Sequence, residues 1–153
     1  MTIAAFEAQA SWLPTVVGMR CSLVRHDEET LVTLIFGATR ETPDGDIQGE
    51  REISFDGAWR LEQGSEVLAG SDDPPEDREP YLEELEGTTL EHAEVSRPGY
   101  DLTLTFSEGY VVRCFPIDSL EFADEVDHPD DAEVSWWVSG FDVPDDWETP
   151  REA

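Results

Sequence analysis

Residues Asp101–Phe115 read DLTLTFSEGYVVRCF, and this stretch decides the fold class. Leucine and phenylalanine alternate with polar residues over Asp101–Phe106, which is the pattern of a strand with one buried face. Ser107-Glu108-Gly109 predicts a tight turn, and Tyr110–Phe115 predicts the returning strand. The stretch therefore predicts an antiparallel β-hairpin.

Similar short runs of β-branched and aromatic residues follow one another through the chain after Gly18. Leu31–Phe36 (LVTLIF) is apolar on both faces, which predicts a central strand. Arg51–Phe55 and Ala58–Gln63 flank Asp56-Gly57, a dipeptide that favours a hairpin turn. Further strands are predicted at Met19–Arg25, Thr88–Ser96 and Val134–Val138.

The N-terminus predicts a short helix. Thr2 is a suitable N-cap, and the helix would end near Leu13 because the residue before a proline disfavours helical conformation. Tyr81–Leu85 predicts one helical turn before Gly87. The expected fold class is mostly β with a minor α component, and with a short N-terminal helix.

The segment 71–80 (SDDPPEDREP) has no large apolar residue and predicts an acidic linker. It would separate residues 1–70, the N-terminal helix plus a first β module, from residues 81–153, a second β module with an acidic C-terminal tail. The two halves correspond in sequence. The matches are Gly18 with Gly87, Val32–Phe36 with Leu102–Phe106, Arg51–Phe55 with Val111–Phe115, and Trp59 with Trp136 or Trp137. The pattern predicts an internal duplication that gives two similar antiparallel β modules packed together.

Charge dominates the composition. Asp and Glu total 37 against 9 basic residues, every one of them arginine, and the formal net charge is -28. Such a surface repels phosphate backbones and anionic headgroups, so neither nucleic acid nor membrane is expected as a direct partner. A basic protein would be attracted. A salt-loving lineage would produce the same composition without any partner, and both origins of the charge stay open.

Several classes of catalytic site are excluded by what the chain lacks. Without lysine there is no P-loop, Schiff base or pyridoxal-phosphate anchor. None of His26, His92 and His128 lies in an H-E-x-x-H motif, and neither Cys21 nor Cys114 lies in a C-x-x-C motif. We therefore expect no catalytic residues, no cofactor and no resident metal, and we interpret the chain as a non-enzyme.

The expected location is cytoplasmic. The N-terminal residues lack the basic region of a signal peptide, and no apolar run approaches the length that spans a membrane. Cys21 and Cys114 would then be reduced and buried. A disulfide between the two halves is the alternative.

A calcium-binding loop is a second hypothesis. Asp44, Asp46 and Gly49 occupy the first, third and sixth positions of an EF-hand-like loop, but Phe55 stands at the twelfth, where a glutamate is required. An EF-hand is therefore excluded. Weaker calcium binding stays open at two sets of acids, Asp44 with Asp46 and Glu50, and Asp127 with Asp130 and Asp131.

The C-terminal third combines acids with aromatic residues, and it predicts the partner-binding site. Aromatic rings supply buried contact area, while carboxylates steer association with a basic protein. Adjacent residues of a strand point to opposite faces, so one of Trp136 and Trp137 should face the core. The predicted partner-binding residues are Asp124, Asp127, Asp130, Asp131, Trp137, Asp145, Asp146 and Trp147.

About half of the chain resembles small acidic bacterial proteins of the toxin-immunity type. The resemblance is carried by Leu85-Glu86-Gly87, by the hairpin from Leu102 to Gly109, and by the late tryptophan strand at Trp136-Trp137. It implies a small, cytoplasmic protein without catalytic motifs, and it transfers no functional residues.

The function expected is a non-enzymatic acidic binding protein, an immunity-type inhibitor of a basic protein partner. Three alternatives stay open: a small-ligand or Ca²⁺-binding β module, a DNA-mimic protein, and an unrecognised enzyme. A homodimer is compatible with the sequence.

Overall fold

A computed structural model describes residues 3–116 and 135–141. The described chain begins with helix α1 (Ile3–Ala10) and a 3₁₀ turn over Leu13–Thr15. Five strands follow, namely β1 (Cys21–His26), β2 (Val32–Glu41), β3 (Ile47–Phe55), β4 (Ala58–Gln63) and β5 (Glu66–Gly70). After helix α2 (Pro75–Glu83) come β6 (Leu90–Ser96), β7 (Asp101–Phe106), β8 (Tyr110–Phe115) and β9 (Trp136–Ser139).

The strands form two antiparallel sheets, one in the order β1-β2-β3-β9 and the other in the order β5-β4-β8-β7-β6. The core includes buried side chains of both sheets, among them Leu34, Phe36, Leu104 and Phe106. The prediction of a mostly β fold with a short N-terminal helix is confirmed. Among the described helices, none is long and apolar enough to cross a membrane.

The boundary between the two sheets does not coincide with the boundary between the two halves of the sequence. β4 and β5 lie in one sheet with β6, β7 and β8, whereas β9 pairs with β3. The prediction of a hairpin at Asp56-Gly57 is therefore wrong, although both flanking strands are present. Gly57 has a φ of +81°, and the chain passes there from one sheet to the other. A hairpin is prevented because the edge of β3 is taken by β9 and that of β4 by β8.

Trp59 and Trp136 lie in β4 and β9, the strands through which each half joins the sheet of the other. Both are buried. The Nε1–H of Trp59 donates to the Thr30 carbonyl and that of Trp136 to the Tyr100 carbonyl, each at 2.9 Å. The first half thus contributes β4 and β5 to the sheet of the second half, and the second half contributes β9 to the sheet of the first. The described residues of the two halves therefore share one core.

The segment 71–80, predicted as an acidic linker, contains the start of helix α2 at Pro75. A proline at the first helical position costs no hydrogen bond, since that N–H has no partner within a helix. Arg78 and Leu82 of this helix are buried. The composition concealed the helix because one of its two buried side chains is an arginine.

The chain segments that lead into β1 and β6 make the same contacts twice. The Gly18 N–H donates to the Leu90 carbonyl at 2.7 Å, and the Gly87 N–H donates to the Cys21 carbonyl at 2.8 Å. Both glycines have positive φ, +96° and +93°, which explains why each position is a glycine. Gly18 and Gly87, like Cys21 and Leu90, are separated by 69 positions. The backbone pattern therefore repeats, while the duplication of one ancestral segment stays a prediction.

Candidate partner-binding surface

Among the residues predicted to bind a partner, the structure describes Trp137. It is half-buried on β9, where its backbone pairs with Ser54. Its neighbour Trp136 is fully buried, so one of the two tryptophans faces the core as expected. The other predicted residues lie outside the described part of the chain, and they are Asp124, Asp127, Asp130, Asp131, Asp145, Asp146 and Trp147.

Arg78 of α2 organises an acidic part of the described surface. The residue is 2% exposed, and its guanidinium lies 5.9 Å from the centre of the Trp59 ring. Its terminal nitrogens donate to four backbone carbonyls, those of Ser71, Asp73, Asp27 and Glu29. Arg78 therefore ties together the β1–β2 loop, the β5–α2 loop and helix α2.

These three segments and the residues that follow α2 carry a set of exposed acids, which we call the acidic surface. Its members are Asp27, Glu28, Glu29, Asp72, Asp73, Glu76, Asp77, Glu79, Glu83, Glu84 and Glu86. Arg78 donates its hydrogen bonds to backbone carbonyls and makes none to these carboxylates. Within the described ranges, none of the acidic surface takes part in an ion pair.

Some of these carboxylates also hold the local structure. Glu86 Oε2 accepts the Val24 N–H at 3.0 Å, and Glu84 Oε1 accepts the Tyr110 hydroxyl at 2.6 Å. The hydrogen bond to Glu84, together with burial, raises the pKa of Tyr110. The acids on the exposed side of α2 itself, Glu76, Asp77 and Glu79, have no such role and face solvent.

Tyr81 gives the acidic surface an aromatic element. Tyr81 is 39% exposed, while Leu82 beside it is fully buried. An exposed ring thus lies among carboxylates on α2, while the site predicted for the C-terminal third stays a prediction. The sequence signal for this helix is the spacing of Arg78 and Leu82, which places two side chains four positions apart on one face. The pattern is obscured because one of the two buried positions is an arginine, a residue type that is usually exposed.

Glu7 of α1 belongs to a second charged cluster. The Nε and Nη2 atoms of Arg97 donate to its two carboxylate oxygens at 2.6 and 2.8 Å, and the Tyr100 hydroxyl donates to it as well. The hydrogen bond from Arg97 lowers the pKa of Glu7 to about 2, against the opposing effect of burial. The Tyr100 ring also stacks on Phe6, with ring centroids 5.3 Å apart. This cluster fastens α1 to the β6–β7 turn, and a carboxylate held ionised by a bidentate arginine is a poor general base.

Cys114 and His92 are not arranged as a nucleophile–base pair, because the thiol is buried and the imidazole is exposed. Cys114 is completely buried, and burial raises the pKa of its thiol well above the usual value. The side chain of His92 is 61% exposed on β6, with Nε2 3.4 Å from Glu94. Cys21 is also buried, and burial raises its pKa to about 12. Both cysteines are free rather than joined by a disulfide.

The calcium hypothesis has no support in the described residues. Asp44 and Asp46 lie in the tight turn between β2 and β3, where the Asp46 N–H donates to Thr42 Oγ1 at 3.1 Å. In the ranges 3–116 and 135–141, no three or more His, Cys, Asp or Glu side chains come together in a way that could hold a metal ion. The alternative set at Asp127, Asp130 and Asp131 lies outside those ranges.

No protein-family model, curated protein or solved structure matches this chain.

Proposed function

We propose that the protein is a non-enzymatic binding protein that captures a basic protein partner, in the manner of an immunity-type inhibitor. The observation that carries the proposal is the buried Arg78. It gathers three acidic segments into one surface, and it does so by donating to backbone carbonyls, so that none of its hydrogen bonds is made to a carboxylate.

The physics of such a surface favours fast capture of a cationic partner. Exposed carboxylates with no ion pair create a negative potential over several ångströms, which steers an oppositely charged protein and raises the association rate. Charge alone gives little specificity. The exposed Tyr81 ring, set among the acids, provides a point at which a partner can bury area.

The test compares two variants of equal charge in affinity capture from lysate of the source organism, at low and high salt. One carries Glu76→Gln, Asp77→Asn, Glu79→Gln and Glu83→Gln on the acidic surface. The matched control carries Glu41→Gln, Asp44→Asn, Asp46→Asn and Glu66→Gln, which are exposed acids elsewhere.

We expect one stoichiometric basic protein to be retained by the wild type and the control at high salt, and to be lost from the acidic-surface variant. If both variants retain it equally, the acidic surface is not the binding site. If only assorted basic proteins bind and all wash off with salt, the proposed function is wrong. Capture of a nucleic-acid-binding protein through its cleft would identify the DNA-mimic alternative.

A further inference from the structure

β1 and β6 are outer strands of the two sheets, and they hold matching places. Each contains a β-bulge within its first three residues. After the bulge, Val24 of β1 pairs with Leu34, and Ala93 of β6 pairs with Leu104. Because the registers agree, the backbone N–H groups of Val24 and Ala93 point in the same direction relative to their sheets.

The two outer edges differ in whether the outward-pointing N–H at this position has an acceptor. The Val24 N–H points away from β2 and is accepted by the carboxylate of Glu86. The residue at the matching position of the first half, 69 places earlier, is Val17, which offers no acceptor. In the part of the chain that the structure describes, no side chain caps the Ala93 amide. Among the described residues, the edge of β1 is thus closed at Val24, whereas that of β6 is open at Ala93, beyond the contact of Leu90 with Gly18, although open edges are a known liability.

An apolar groove lies beside this open edge. Its volume is about 460 Å³, and Val17 is 41% exposed within it. The apolar lining comes from Ala10, Leu13, Pro14, Val17, Ala93 and Val95. A strand added to β6 would place its alternate side chains over this groove, since residues i and i+2 of a strand share one face.

We propose that the outer edge of β6 binds an extended strand of the basic partner protein by β-strand addition. This inference rests on the proposed function and names the second contact through which the partner is held. Main-chain hydrogen bonds to Ala93 and Val95 would give affinity, and apolar side chains seated in the groove would give specificity.

The charges around the edge favour a basic strand, although His92 and Arg97 also line the groove. Glu91 and Glu94 are exposed on β6, while the charge of Arg97 is neutralised by its ion pair with Glu7. His92 lies close to Glu94. A strand whose apolar residues alternate with arginine or lysine fits this edge. Its apolar side chains would enter the groove, and its basic side chains, on the opposite face, would lie near Glu94 and solvent.

The probe is a short capped peptide in which valine alternates with arginine, titrated into the full-length protein at physiological ionic strength. Two control peptides carry N-methyl groups on the valine amides or on the arginine amides. Only one of these two sets can face β6, so we expect one control to bind as the parent does and the other to lose binding. Amide chemical shifts should change at Ala93 and Val95.

Two protein variants test the edge itself. Val17→Glu places a carboxylate where Glu86 stands in the other half, and Ala93→Pro removes the outward amide, a change that an edge strand tolerates. Each should weaken peptide binding roughly tenfold, the effect of losing about one main-chain hydrogen bond. The control is Val67→Glu, which adds the same charge at an exposed valine of β5 and should not weaken binding.

The result that overturns strand addition is specific. Simple charge attraction predicts that Val17→Glu binds a cationic peptide more tightly, and that both N-methylated peptides bind like the parent. Either finding refutes docking at β6 and leaves the acidic surface untouched as a binding site. Loss of the captured partner from the acidic-surface variant tests the proposed function separately.

Discussion

Phe36 of β2 and Phe106 of β7 stack on each other across the core, with ring centroids 6.3 Å apart and planes inclined by 12°. Each ring is essentially inaccessible to solvent. Each also pairs with the first residue of the outer strand of its own sheet, Phe36 with Cys21 and Phe106 with Leu90. The two phenylalanines therefore join the sheets where the repeated backbone pattern of the two halves meets.

Truncating either ring should destabilise the whole protein. We expect Phe106→Ala to cost about 3–5 kcal/mol, because the buried ring is lost and a cavity remains. The measurement is urea unfolding followed by tryptophan fluorescence. Val67→Ala is the control, because Val67 is 65% exposed and should change stability by less than about 0.5 kcal/mol. If fluorescence and circular dichroism report separate transitions in the wild type, the idea of one shared core is wrong.

Arg78 should matter far more to stability than an exposed arginine does. Arg78→Met keeps the bulk of the side chain but leaves four carbonyls without their donor, and it should cost about 3 kcal/mol or more. The control is Arg97→Met, which removes a solvent-exposed ion pair and should cost far less. Equal losses in the two variants, measured by urea unfolding, would show that Arg78 does not organise the acidic surface. Limited proteolysis of Arg78→Met should cut first in the β1–β2 loop.

The strands could be predicted from the sequence because alternation and turn residues are local signals. The bounds predicted for β4, β7 and β8 agree with the structure. Strand partners could not be predicted in the same way, since alternation shows which face of a strand is buried and not which strand lies beside it. Asp56-Gly57 has the composition of a hairpin turn, yet competition from β9 and β8 for the adjoining edges decides the pairing.

The candidate site was harder to predict than the fold. Acidic residues are so numerous that no single cluster stands out in the sequence, and helix α2 lacks the apolar stripe that usually reveals a helix. The acidic surface depends on contacts between Arg78 and carbonyls about fifty positions away, such as that of Asp27. Contacts of this range leave no local pattern, because a backbone carbonyl is present at every residue.

The Glu7–Arg97 pair should contribute to stability at neutral pH and lose that contribution in acid. The pKa of Glu7 is lowered from 4.5 to about 2 in the folded protein. A carboxyl with a depressed folded pKa stabilises the fold above its unfolded pKa, and the effect disappears as the pH falls from 4.5 towards 2. The pair is close to half-exposed, so solvent screening limits the effect to about 1 kcal/mol.

The measurement for this pair is the difference in unfolding free energy between the wild type and Glu7→Gln, taken from pH 7 to pH 2. The difference should be constant above about pH 5 and shrink below pH 4.5. Glu94→Gln, at an exposed acid of β6, provides the baseline for removing one charge. A difference that grows in acid would contradict the assigned direction of the pKa shift.

Salt should stabilise the protein, because a net charge of -28 makes the folded chain repel itself. Raising the ionic strength from about 0.01 M to 1 M shortens the Debye length from about 30 Å to about 3 Å, and repulsion between separate acidic segments is then screened. We expect Tm to rise with sodium chloride. The variant neutralised at Glu76, Asp77, Glu79 and Glu83 should have a higher Tm at low salt and a weaker salt response than the wild type, since Arg78 holds these acids close to those of the β1–β2 loop. If Tm rises equally with salt in the two proteins, repulsion within the acidic surface does not destabilise the fold. If the Tm of the wild type does not change with salt, self-repulsion does not destabilise the protein at all.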